Sequence, residues 1–142
     1  MKQLKFLSLL LGIAVMVGAT SCKKDDTPKA MNPADVNPAL LIGKWKNDAN
    51  PSWYKKYTAN AAELPSGFDA SYDKYGSDWT LGEKEEDEEG TEFFYKVEGN
   101  QLKELFDNMG TPLPRIYTLK TLTSAKLEYF DHFHEIYSFT KQ

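Results

Sequence analysis

The sequence predicts an all-β fold: an antiparallel up-and-down meander of about eight strands closed into a small β-barrel. Two observations carry that expectation. From Ser77 to Lys141 the chain breaks into short runs of alternating apolar and polar residues, separated by turn signals such as Gly99-Asn100 and Met109-Gly110. No second long helical run covers the sheet, so closure is the economical way to protect the strand edges.

The first strand is expected within Leu40 to Lys46, where Leu41 and Trp45 share an orientation with Gly43 between them. From Asn47 to Tyr75 the pattern loosens, punctuated by Pro51, Pro65 and Gly67. Residues 52 to 64 fit either a short helix or extended chain, and periodicity alone does not separate the two. Trp79 and Leu81 alternate with Thr80 and Gly82, and the charged run Glu83 to Glu89 reads as a solvated hairpin tip ending at Gly90. Glu92 to Val97 is an aromatic strand, Glu98-Gly99-Asn100 a tight turn whose residues tolerate positive φ, and Gln101 to Phe106 the return. Met109-Gly110 and Pro112 to Pro114 mark a connection. Arg115 to Thr121, Lys126 to Phe130 and Glu135 to Lys141 supply the remaining strands. Tyr117, Leu119 and Thr121 are expected on one face, Ile116 and Thr118 on the other. One buried face and one wet face suit an antiparallel sheet.

Ahead of the barrel stand two further segments. Lys2 and Lys5, the apolar run Phe6 to Val17 and the small residues Gly18-Ala19-Thr20-Ser21 have the layout of a signal peptide over residues 1–21. The run is too short for a permanent span, which needs roughly 20 residues. Residues 22–38 contain Pro28, Pro33 and Pro38 and no apolar period, and read as a flexible tether. The folded domain is then 39–142, a usual size for one domain.

Composition excludes several functions. The formal net charge is −4, and residues 1–21 carry two lysines and no acid, so the remainder is more acidic still. Arg115 is the only arginine and has no basic cluster around it, which argues against nucleic-acid binding. Cys22 is the only cysteine, so no disulfide framework or thiolate zinc site is available to residues 23–142. There is no Gly-x-Ser-x-Gly elbow and no phosphate-cradling glycine loop. The protein reads as a non-enzyme with no cofactor.

Ala19-Thr20-Ser21-Cys22 resembles the lipobox of bacterial lipoproteins, which implies acylation of Cys22 and attachment to a membrane. Lys23-Lys24-Asp25-Asp26 is similar to the export tags of Bacteroidota surface lipoproteins. Together these imply an outer-membrane lipoprotein, facing the periplasm or displayed at the cell surface. Leu41-Ile42-Gly43-Lys44-Trp45, the hairpin segments Tyr95 to Leu102 and Tyr117 to Glu128, and the closing Glu135 to Lys141 resemble lipocalin-like lipoproteins of the same bacteria. That resemblance implies a lipocalin-like β-barrel whose base is formed by Gly43 and Trp45. Lys141 stands where the family commonly has an arginine against the tryptophan, and lacks its planar fork of donors.

Candidate site residues follow. Trp53, Tyr54, Tyr57, Phe68, Tyr72 and Tyr75 could line a cavity for a small apolar or amphipathic ligand, or could simply fill the core. The alternative function is a structural or protein-interaction module at the cell envelope, with a filled barrel. His132 and His134, two apart between Asp131 and Glu135, would point the same way on an extended chain and are weak metal candidates; a solvated turn is the competing reading. Glu83 to Glu89 lacks the pattern of a calcium loop and suits a solvated tip.

Overall fold

The computed structural model describes residues 26–65, 68, 76–87 and 89–142. Eight strands follow one another around a closed antiparallel barrel: β1 (Gly43–Asn47), β2 (Trp53–Ala61), β3 (Thr80–Glu86), β4 (Glu89–Glu98), β5 (Gln101–Asn108), β6 (Thr111–Leu122), β7 (Lys126–Phe130) and β8 (Ile136–Lys141). β8 pairs back onto β1 through Trp45 with Lys141 and Asn47 with Phe139, which removes both edges. The predicted all-β closed meander is the observed fold.

Register shows why the barrel has one apolar lining. Paired positions share a face, and the chains Trp45–Lys55–Lys84, Tyr57–Gly82–Phe93–Phe106 and Tyr95–Glu104–Arg115 all run around the inside. Trp45, Tyr57, Phe93, Leu102, Leu119, Leu127 and Tyr129 are buried there. Gly82 sits beneath the Phe93 ring, and a Cβ at that position would lie 2.5 Å from its Cζ. Hence this inward position takes glycine.

Two hairpins use their predicted turn residues. Gly99 (φ 59°) with Asn100 joins β4 to β5, and Met109 (φ 54°) with Gly110 (φ 80°) joins β5 to β6. The two consecutive positive φ angles at Met109 and Gly110, and the single one at Gly99, suit the right-handed twist of the flanking strands.

Four expectations need correction. Residues 52–64 hold no helix: Trp53–Ala61 is β2, whose Tyr, Thr and Trp content suits a pleated wall, and its pairing with both β1 and β3 is what closes the barrel there. Pro112 to Pro114 is not a connection but the start of β6; Thr111–Tyr117 pairs with β5 while pairing with β7 begins only at Thr118, so the prolines occupy an edge where no second ladder is needed. A register shift between Leu119 and Thr121 moves Leu122, not Thr121, into the core. Finally, the expected tether is laid against the barrel from Met31 onward. Met31 N–H donates to the Leu119 carbonyl at 2.8 Å, Asn100 donates to the Met31 carbonyl at 3.0 Å, and Met31, Val36 and Leu40 pack on the core. Two short 3-10 turns, Pro33–Asp35 and Pro38–Leu41, carry the chain along, each capped by an asparagine side chain.

Three described residues between β2 and β3 pack on the outer wall. Leu64, Phe68, Trp79 and Leu105 form a second buried cluster, with Phe94 against it. Lys96 places its ammonium 4.8 Å over the Trp79 ring.

Asp48, just after β1, ties β7 and β8 together. Its carboxylate accepts from Lys126, from Ser138 Oγ at 2.7 Å and from Thr140 Oγ1 at 2.7 Å. The Lys126 ammonium is the main cause holding its pKa down at about 2, against an ordinary 3.8. A depressed carboxylate stabilises the fold above its unfolded pKa, and that contribution disappears as pH falls through the folded value. We expect the denaturant midpoint of the protein to drop between about pH 4 and pH 2, and Asp48→Asn to flatten part of that limb. An NMR titration giving Asp48 an ordinary pKa would contradict this.

Candidate functional site

Antiparallel connectivity sorts the loops into two ends. The segment entering β1, the β2–β3, β4–β5 and β6–β7 connections and the C-terminus lie at one end, the base; the β1–β2, β3–β4, β5–β6 and β7–β8 connections lie at the other, the mouth.

At the base, the fully buried Trp45 donates its indole N–H to the Leu41 carbonyl at 2.7 Å. Lys141 crosses it with the ammonium 4.9 Å from the ring and donates to the Leu40 carbonyl at 3.0 Å. Gly43 (φ 136°) admits this lysine: a Cβ there would be 2.6 Å from its Cε. Gly43, Trp45 and Lys141 are therefore one contact group, with the lysine stem supplying cover and its head satisfying a carbonyl.

Halfway up, an ion pair spans the lumen. Lys55 on β2 donates to both oxygens of Glu104 on β5, at 2.9 and 2.7 Å, and to Tyr129 Oη on β7 at 2.8 Å; Tyr57 Oη donates to Glu104 Oε1 at 2.7 Å. The two charged side chains are 7% and 0% exposed. The ammonium also sits 5.3 Å from the Tyr117 and Tyr129 ring centres and 5.8 Å from that of Phe93. Burial pushes Lys55 down from its ordinary pKa, opposed by the Glu104 carboxylate. Burial likewise pushes the Tyr57 and Tyr129 hydroxyls well up, and Glu104 adds to it. The three ammonium protons all have acceptors, which is the condition under which such a charge is tolerated inside.

Sequence reasoning passed over Lys55 and Glu104. The signal was present in phase: Glu104 stands between Leu102 and Phe106, and Lys55 between Trp53 and Tyr57, each on an inward row.

Above the pair lies a chamber of about 80 Å³ bordered by Trp53, Tyr117, Tyr137 and Phe139, and Lys84 and Arg115 divide it from an open recess of about 280 Å³ beside Phe106 and Leu113. Lys84 pairs with Glu86, and the Arg115 guanidinium lies 4.7 Å over Phe106. Tyr117 is raised to about 12, chiefly by burial.

The described aromatic residues singled out from sequence do not share one enclosed site, although Tyr54 and Tyr57 both border an open recess of about 900 Å³ along β1 to β4. Trp53 is at the mouth, 38% exposed; Tyr57 is in the lumen; Tyr54 is on the outer wall with the Lys44 ammonium 4.2 Å over its ring; Phe68 is in the outer cluster. Tyr72, Tyr75 and Cys22 lie outside the described residues. His132 and His134 occupy the turn between β7 and β8, not an extended segment. Asp131 Oδ1 accepts there from the Phe133 and Glu135 N–H groups at 2.9 and 3.0 Å, and His134 has φ 66°. Each ring packs beside phenylalanine, His132 on Phe133 and His134 on Phe130. Glu83 and Glu85 pair with Lys56 and Lys44, both at 3.1 Å, across the outer faces of β1 to β3.

Fold and interior together define an eight-stranded closed antiparallel barrel of lipocalin-like form. Comparison with protein-family models, curated proteins and solved structures finds no match for this chain.

Proposed function

We propose that the protein is a non-enzymatic, membrane-tethered binding module whose packed barrel acts as a rigid support, with the mouth end as its binding face. One observation carries the reading against that of a deep-cavity carrier: the lumen is crossed by the Lys55–Glu104 pair and filled with aromatic rings, leaving about 80 Å³ directly above it and an open recess of about 280 Å³ at the mouth. Pockets for drug-sized ligands run from about 300 Å³ upward.

The tether supplies direction. Acylation of Cys22, implied by its lipobox resemblance, would fix the chain to a bacterial membrane. Met31 is already bound at the base. Nine residues span at most about 30 Å, so an anchor at Cys22 would hold the base toward the lipid and leave the mouth facing away. On this reading the outer-membrane location and the periplasmic or surface display both leave the mouth free to meet an envelope protein.

Native mass spectrometry of the protein as purified tests the packed-barrel reading. The expected mass is that of residues 22–142 plus the acyl modification, with Cys22→Ala removing the latter. A small molecule retained at one equivalent by both forms would overturn the reading in favour of a carrier of an apolar or amphipathic ligand.

A further inference from the structure

Seven large apolar side chains are exposed among the described residues, and six of them, Trp53, Met109, Leu113, Ile116, Phe133 and Ile136, lie in the mouth half; only Ile42 is at the base. Phe133 is 78% exposed at the tip of the β7–β8 turn, and Met109 wholly exposed at the tip of the β5–β6 turn. A groove of about 530 Å³ lies on the outer wall where β6 continues past the end of β7, with Ile116, Thr118, Phe130 and His132 along it. Exposed apolar side chains gathered at one end of a barrel mark a contact surface.

The charge around this surface narrows the occupant. Glu86, Asp87, Glu89, Asp107, Asp131 and Glu135 all stand on the mouth connections or the strand ends beside them, against Lys84 and Arg115. Lys84 is already paired with Glu86. An acidic rim repels anionic lipid headgroups and an equally acidic second copy, and attracts a cationic surface. Pro112 and Pro114 on the open edge of β6 withhold two N–H donors, so adding a partner strand along it is disfavoured and side-chain contact is left as the means of binding.

We propose that the mouth end, from Met109 across Ile116 to Phe133, docks a segment of a partner protein that carries apolar side chains interleaved with Lys or Arg. This rests on the mouth being the binding face and adds the chemistry of its partner.

Two synthetic amphipathic peptides of equal length, one of Leu and Lys and one of Leu and Glu, distinguish the parts of the proposal when titrated into the full-length protein. The Leu/Lys peptide should bind at least tenfold more tightly, and its binding should weaken with added salt. Phe133→Ser with Ile116→Ser should reduce that binding at least tenfold, whereas Ile42→Ser at the base leaves it unchanged; these positions are exposed, and circular dichroism checks that each variant folds. Preference for the Leu/Glu peptide would overturn the cationic partner while leaving the mouth as the binding face. Equal loss from Ile42→Ser, or no binding of either peptide, would overturn both.

Discussion

Glu104→Ala is expected to destabilise the protein by about 3–5 kcal/mol, because it strands the Lys55 ammonium inside the barrel with no countercharge. The cost is that of an uncompensated buried charge and exceeds the net worth of the pair. Taking two charges out of water is itself expensive, and their attraction roughly repays it. A second variant separates these terms. Lys55→Met with Glu104→Leu leaves no charge behind, and strips an acceptor from Tyr57 and a donor from Tyr129. That combination should stay within about 2 kcal/mol of the parent, since unpaired hydroxyls cost about 1–3 kcal/mol and loss of the desolvation penalty offsets it. Urea unfolding of the parent and both variants measures the difference. If the double change costs as much as Glu104→Ala, the pair is not the buried strut described here.

Trp45→Ala should cost about 3–5 kcal/mol, the range for emptying a large aromatic site. The side chain is fully buried, and its loss also frees the Leu41 carbonyl and uncovers the stem of Lys141. Trp53→Ala at the exposed mouth should cost less than about 1 kcal/mol. Similar losses for the two tryptophans would mean that the base is not the anchored end of the core.

Most of the barrel was legible because strand alternation and turn chemistry agreed. Lys126–Phe130 and the Gly99-Asn100 turn stand where their residues place them. What escaped depended on tertiary context. A single bulge after Leu119 reversed the expected face of Thr121. The prolines of β6 looked like a connection because a strand paired on one side cannot be recognised from local sequence. Helix and strand competed over residues 52 to 64, so the phase of Lys55 was never fixed. Once β2 is a strand, the two charges fall on facing inward rows and the site follows from register alone. Tyr54, Tyr57 and Phe68 are near in sequence, yet strand alternation sends Tyr54 to the outer wall and Tyr57 to the lumen, while Phe68 joins the outer cluster.

On the proposed reading protein occupies the lumen, which is not held open for cargo. A crystal structure of the protein grown with excess palmitic acid tests it most directly. Lys55 is expected to be bonded to Glu104 and Tyr129 across an interior without an acyl chain. An acyl chain running past Tyr57 and Tyr129, with Lys55 turned away from Glu104, would contradict it.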